Sequence, residues 1–321
     1  MKEVPMIPSL HIPDGFLAPE VSIALWVATA VVIGIALRRI ATERTNAPAR
    51  TVLMGIAGAF IFAAQMFNFP VAAGTSGHLL GGVLAGVLLG PWAGSIVMAT
   101  VIGIQALLFQ DGGLLVLGAN IFNMGVIGTL GGALVARATS EVFGGGRRGQ
   151  FVGVGFAAWL SVMAAAGLTT LQLGVSGTTD IGIGLPAMLG THALIGVGEA
   201  LITIGAIGFI SASAPDILSA RTSERGASAP RRIALGSVIA LITVSLAALF
   251  ASASPDGLER VAEDLGFLDQ GQGPAFELLP DYTIPGLDGT VSTILAGAVG
   301  VGIVVVILLL LGRVAARRRS A

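Results

Sequence analysis

Nine apolar runs, separated by short polar joints, occupy most of a chain of 321 residues. They fall at 20–38, 51–67, 79–90, 91–109, 114–136, 151–172, 185–211, 233–252 and 290–312. A helix needs about 20 apolar residues to cross a bilayer core. Within that core only helices and closed barrels satisfy their own backbone hydrogen bonds. Runs of this length therefore restrict the chain to an all-α polytopic membrane protein. Composition agrees, with 54% hydrophobic and 11% charged residues, against about 25% charged in soluble domains. The run 79–90 is short and carries Gly81, Gly82 and Gly86, and Gly90-Pro91 divides it from the next. Two helices joined by a tight turn are expected there.

Charge sets an orientation. Arg38, Arg39, Arg44 and Arg50 follow the first run; Arg137, Arg147 and Arg148 follow the fifth. Arg221, Arg225, Arg231 and Arg232 follow the seventh, and Arg313, Arg317, Arg318 and Arg319 follow the ninth. With nine crossings all four clusters share one face, leaving only Lys2 and Arg260 opposite. The positive-inside rule makes the clustered face cytoplasmic. The expected location is thus the cell membrane, multi-pass, with the N-terminus outside and the C-terminus in the cytoplasm. His11 and His78 then lie on the same outer face, although 67 residues separate them.

Several function classes drop out. A net charge of −1 gives no sign of nucleic-acid binding. With no cysteine there is no disulfide, Fe–S cluster or thiolate zinc site. Lys2 is the only lysine, so a Gly-x-x-x-x-Gly-Lys phosphate loop is impossible and ATP hydrolysis must come from another chain. Nothing calls for an organic cofactor.

The chain divides into residues 1–212 with seven helices, a polar cytoplasmic linker at 213–232, and 233–321 with two helices around a loop at 253–289. That loop is acidic, with Asp256, Glu259, Glu263, Asp264, Asp269, Glu277, Asp281 and Asp288 against Arg260 alone. It reads as a solvated connection, or as a means of concentrating cations near the outer face.

Chemistry is confined to few residues. The chain has three histidines. His11 precedes the turn Pro13-Asp14-Gly15, and His78 ends the loop Gly74-Thr75-Ser76-Gly77. A pair of imidazoles on one face suits a transition metal. Thr75 or Ser76 is expected to cap the following helix. His192 and Glu199, at i and i+7, share one face of the seventh helix. They read as hydrogen-bond glue between helices, or as a functional pair within the membrane. His192 is placed roughly 12 Å below the outer end, too deep to join His11. Asn120, Asn123 and Gln105 are expected to pack inside and bond neighbouring backbone. Gly55, Ala59 and Ala63 form a small-residue stripe that seats either an internal helix or a partner.

The motifs resemble those of the CbiM/NikM family, the substrate-binding (S) components of energy-coupling-factor cobalt and nickel importers. The resemblance rests on His11-Ile12-Pro13-Asp14-Gly15-Phe16, Asn68-Phe69-Pro70, Gly74 through Gly82, Leu89-Gly90-Pro91-Trp92-Ala93-Gly94 and Gln105 through Phe109. Asp111-Gly112-Gly113, Gly118 through Met124 and His192 through Glu199 extend it over residues 11–211. The tail motifs Ser254-Pro255-Asp256-Gly257-Leu258-Glu259 and Leu279-Pro280-Asp281-Tyr282 resemble the Pro-Asp-Gly-Leu-Glu (PDGLE) domain, which is similar to the accessory subunit CbiN. The resemblance implies a seven-helix S-component bundle fused to a two-helix accessory unit. It implies Co²⁺ as transported substrate, supplying cobalamin biosynthesis, with Ni²⁺ as the alternative within the family. A CbiQ-like transmembrane coupling subunit, two CbiO-like ATPase subunits and the lipid bilayer are the implied partners. It also implies a metal held by a free amine, by the amide and imidazole nitrogens of the next histidine, His11, and by the imidazole of His78. Nine residues precede Leu10 here, so the expected true start is Leu10, whose amine completes the set. Asp14 is a candidate second acceptor behind the metal. Two other classes are a passive divalent-metal channel lined by His192 and Glu199, and an intramembrane enzyme using the same pair.

Overall fold

In a computed structural model of the protein, residues 11–42, 47–72, 74–213 and 229–317 are described. Leu10, and residues 214–228 of the expected linker, lie outside them. The chain is an all-α polytopic membrane protein. Among the described residues, six helical stretches are long and apolar enough to cross a membrane: Pro19–Thr42, Pro91–Phe109, Leu117–Val142, Gly146–Val175, Ile181–Ala212 and Gly289–Val314. Arg50–Gln65 and Ala234–Phe250 are shorter apolar helices. Large apolar side chains face outward, among them Ile23, Val27 and Val31, as a lipid solvent demands.

The elements are α1 (Pro19–Thr42), α2 (Ala47–Gln65), a two-residue pair of strands β1 (Phe69–Pro70) and β2 (Ser76–Gly77), α3 (Gly82–Leu89) and α4 (Pro91–Ile104). A π-helical turn, Gln105–Phe109, ends α4. Then come α5 (Leu117–Asn120), a π-helical stretch Ile121–Gly131 and α6 (Gly132–Val142), forming one rod. Next are α7 (Gly146–Val175) and α8 (Ile181–Ser213). The tail holds α9 (Ala229–Phe250), α10 (Gly257–Leu265) and α11 (Gly289–Arg317). Thus α9 starts within the stretch expected to be linker, and the expected solvated loop 253–289 contains a helix of its own.

The chain does reverse at Gly90-Pro91. Gly90 adopts φ 79°, ψ 161°, open to glycine alone, and Pro91 starts α4 where no N–H is needed. The turn lies beside Arg50, which donates to the Leu89 carbonyl at 3.1 Å, and Trp92 lies under Arg39. It therefore sits at the arginine-bearing ends of α1 and α2. With eight residues, α3 is only about 12 Å long. Residues 78–81, which precede it, are not helical, and Gly81 is left-handed at φ 77°.

The loops 11–18, 66–81, 110–116, 176–180 and 251–288 meet at the opposite end. Thr178 donates to the Phe16 carbonyl, Gln272 N–H to Asp14 O at 2.7 Å, Ser252 N–H to Asn68 O at 2.8 Å and Leu279 N–H to Leu108 O at 2.9 Å. The small-residue stripe on α2 is filled internally: Gly55 lies against Val305 and Leu309 of α11, and Ala59 and Ala63 are fully buried.

Candidate metal site

His11 is held from three directions. Asn120 clamps the neighbouring backbone, accepting from Ile12 N–H and donating to Ile12 O, each at 3.0 Å. Gly113 N–H donates to the same carbonyl at 2.9 Å. Gly112, at φ 96°, allows the loop to press against His11: a Cβ there would lie 2.8 Å from the His11 Cβ. The ring itself is held by Asp111, with Nδ1 3.0 Å from its carbonyl and 3.2 Å from its carboxylate. Tyr282, from the tail, donates to the other Asp111 oxygen at 2.7 Å. Burial acts to lower the His11 pKa, but the Asp111 carboxylate outweighs it and the net shift is upward. Burial acts to raise Asp111, yet His11 and the Tyr282 hydroxyl hold it below the usual carboxylate range. The Tyr282 hydroxyl is pushed well above its ordinary value by burial and by Asp111.

His78 is positioned through the backbone that follows it. It lies in an extended stretch between β2 and α3, where the main chain has no helix to satisfy it. Glu199 of α8 accepts from Leu80 N–H at 2.6 Å and Gly81 N–H at 2.9 Å. Gln65 of α2 donates to Leu80 O at 2.7 Å. Non-helical backbone at membrane depth is tolerated only when protein groups replace water in this way. The His11 and His78 rings meet edge to face, with centroids 5.5 Å apart.

All three histidines use Nδ1 toward backbone oxygen: His11 to Asp111 O, His78 to Leu79 O at 3.1 Å and His192 to Met188 O at 2.8 Å. A ring nitrogen facing a carbonyl carries the proton, so Nε2 bears the lone pair. Ligating histidines commonly donate their other N–H to such an acceptor. The three rings, with Asn120, Asn123 and Asp256, line one cavity of about 70 Å³. That is room for one ion and very few waters, not for a large chelate.

The tail closes this cavity. Ser76 N–H donates to Pro255 O at 2.9 Å, and its hydroxyl to Ser254 O at 2.8 Å. Gly257 packs directly on His192 and Ile195. Asp256 is buried and caps α10: its Oδ1 accepts from Leu258 and Glu259 N–H, both at 2.8 Å, while Glu259 accepts from Asp256 N–H at 3.0 Å. Burial pushes the Asp256 carboxyl up to about 6 despite these bonds.

Comparison with known proteins bears on what such a cavity holds. The profile of the family described as cobalt uptake substrate-specific transmembrane region (CbiM) matches residues 11–217, and that of the PDGLE domain matches residues 230–317. The chain belongs to the CbiM family and carries a fused PDGLE domain. A relative from Archaeoglobus fulgidus, named as a fused nickel transport protein (NikMN), is 39% identical over 92% of this chain and 95% of its own length. A cobalt transport protein, CbiM, of Pelobacter propionicus is 34% identical over 61% of this chain and 88% of its own. A crystal structure of a transition metal transporter, 29% identical, covers 67% of this chain and all of its own, with a TM-score of 0.56. The chain is thus a cobalt/nickel transport component, of a family of transporters rather than enzymes.

Several expectations for this CbiM chain change. Asp14 does not stand behind the histidines: its carboxylate gathers the N–H groups of Leu114, Leu115 and Val116 at 2.8–3.2 Å, just ahead of α5. A carboxylate is favoured where unsatisfied N–H groups point outward. Asp111 takes the place behind His11 that Asp14 was expected to fill. Neither Thr75 nor Ser76 caps α3, whose N-cap is Gly81 without a side-chain bond. The extended stretch puts both residues too far from the helix, and Ser76 instead stitches the tail to the site. Asn120 bonds backbone as expected; Gln105 packs inside, fully buried, but its side-chain amide bonds no backbone. Asn123 instead pairs with side chains of α7, Thr169 at 3.2 Å and Gln172 at 2.8–2.9 Å. His192 lines the same cavity as His11, together with His78, Leu80 and tail residues 256–258. Glu199 is fully buried and committed to backbone, which is glue and not the lining of a pore. A chelate closed by the His11 amide and its own ring uses Nδ1, which here faces Asp111. Forming that chelate requires the ring to turn. Among the described residues no three His, Asp or Glu side chains converge on one metal position. Leu10, whose amine was expected to contribute, lies outside the described residues.

Sequence reasoning passed over Asp111 and Tyr282 as site residues, and took Asp256 for loop solvation. Signals were present: Asp111 and Asp256 sit in quoted motifs, and Tyr282 is the single tyrosine of the chain.

Proposed function

We propose that this chain captures Co²⁺ or Ni²⁺ between His11 and His78 at the outer face of the membrane and passes it inward. Nickel is the first ion to test, since the relative from Archaeoglobus fulgidus that spans both units is named for nickel transport. The observation that carries the reading is the edge-to-face pair of buried imidazoles in one small cavity. Paired imidazoles suit late divalent metals, and hard ions such as Mg²⁺ prefer oxygen. The orientation follows from the arginine clusters: the loop end is outside and the Arg39–Arg50 end cytoplasmic. Residues 11–212 act as the S component and 233–317 as a CbiN-like accessory unit.

Energy comes from separate chains, a CbiQ-like coupling subunit and two CbiO-like ATPases, because no phosphate loop exists here. A passive channel fits poorly, since Glu199 is spent on backbone and the cavity is capped by the tail. The test is Ni²⁺ and Co²⁺ binding by the purified full-length protein, wild type against His78→Ala. Loss of binding by at least about 100-fold is expected. Equal affinity in the two proteins removes the proposed site. Uptake in reconstituted vesicles that persists without ATPase partners would favour the channel.

A further inference from the structure

A divalent ion in a buried cavity needs compensating charge. The imidazoles that hold it are neutral when they ligate. Taking an uncompensated dication out of water is among the most costly steps in protein chemistry. Around the His11–His78 cavity the described lining residues are apolar, amide, imidazole or, at Thr169, hydroxyl, and Asp256 is the one carboxylate among them. Asp111 stands behind the His11 ring and belongs to that ring's support.

Asp256 does not come from the seven-helix unit. It belongs to the tail, and the tail is pinned so that this residue enters the cavity. Ser76, two residues before His78, holds Ser254 and Pro255 immediately ahead of it. Gly257, immediately after it, rests on His192. The residue is 4% exposed. Helix capping uses Oδ1 alone, and Asn or Ser caps about as well as Asp. Capping accounts for a polar side chain, and the helix N-terminus favours a negative one, but neither accounts for that charge being buried in the cavity lining beside the imidazoles.

We propose that Asp256 is the counter-charge of the transported cation: a carboxylate supplied by the fused tail that faces the metal held by His11 and His78. The tail then contributes to substrate binding itself, and a cavity left without it would hold a divalent ion much more weakly. This rests on the metal site proposed above.

Asp256→Asn is the cleanest probe, because asparagine keeps both shape and cap while removing charge. In the full-length protein, the affinities for Ni²⁺ and Co²⁺ are expected to fall by at least about tenfold. Thermal stability without metal should match wild type. Charge is the variable, so Ag⁺, a monovalent ion that imidazoles also bind, should lose a much smaller factor than Ni²⁺. Asp256→Ser, which also caps, should repeat the result, covering the case of an asparagine variant that folds badly. Asp264→Asn, on the exposed face of α10, should bind as wild type. Wild-type Ni²⁺ affinity in Asp256→Asn, with binding lost in His78→Ala, overturns the counter-charge and leaves the histidine site standing. Equal losses for Ag⁺ and Ni²⁺ would also overturn it, reducing Asp256 to a structural cap. Wild-type affinity in His78→Ala as well would bring down the site itself.

Discussion

The two histidines of the site meet in one cavity but are held by opposite means. His11 is fixed through its ring, by Asp111 and, behind it, Tyr282. For His78 it is the main chain that follows, at Leu80 and Gly81, that is fixed, by Glu199 and Gln65 on two different helices. The difference follows from what each segment lacks. The stretch around His11 satisfies its backbone against Asn120 and Gly113, so its ring can be held by a separate carboxylate. The stretch after His78 runs extended at membrane depth, so buried side chains must first satisfy its peptide groups. One carboxylate thus orients a ring and the other preserves a fold.

This contrast predicts an ordered series. The largest effect belongs to Glu199→Ala, which leaves two buried N–H groups without an acceptor. Each such group costs about 1–3 kcal/mol, so a loss of roughly 2–6 kcal/mol in stability is expected. Thermal unfolding in detergent should show it with no metal added, and a melting point near wild type would erase the distinction between the two histidines. Asp111→Asn comes next and should act on binding instead. A fall of about 10–100-fold in Ni²⁺ affinity, with much less change in unfolding, is the expectation for a group that orients a ligating histidine. Should its unfolding shift match that of Glu199→Ala, the ring-against-backbone contrast would be lost.

Third is Gly257→Ala, which puts a methyl 2.7 Å from His192 Cε1 and 2.8 Å from an Ile195 methyl. Overpacking of this kind costs about 1–3 kcal/mol. The tail should loosen, seen as faster proteolysis within 253–289, while the α7–α8 pair stays protected. Uniform protection in both regions would show that the cavity lid is not under steric control. The smallest effect is Tyr282→Phe. It removes one hydrogen bond, worth about 1 kcal/mol, and should lower Ni²⁺ affinity by a few-fold at most. A loss as large as that of Asp111→Asn would make Tyr282 an equal partner in the site.

Much of this was legible in the residues themselves. Run length and arginine placement were enough for a polytopic helical protein whose loops carrying His11 and His78 gather at one end. The turn at Gly90-Pro91 was readable because only glycine and proline suit those positions. The motifs pointed to a metal and to the two imidazoles. Partner choice was not readable. Asp14 and Asp111 are both loop aspartates beside glycine, and nothing local says which one faces His11. The answer depends on Asp14 finding three N–H groups at residues 114–116 first.

Depth was not readable either. His192 counts as too deep along an ideal helix, yet it lines one cavity with His11 and with the His78 stretch, which is unwound, beside tail residues 256–258. Its unwinding is permitted by Glu199 and Gln65, more than a hundred and fewer than twenty residues away in the chain. By itself, then, the sequence determined that the chain is a polytopic helical membrane protein and which residue types could hold a metal, since both depend on local composition; the run 79–90, read as a crossing, holds a helix of only eight residues. Only the tertiary structure decided which carboxylate supports which histidine, and that the tail's Asp256 enters the site. Those choices are competitions among distant groups for the same few buried hydrogen bonds.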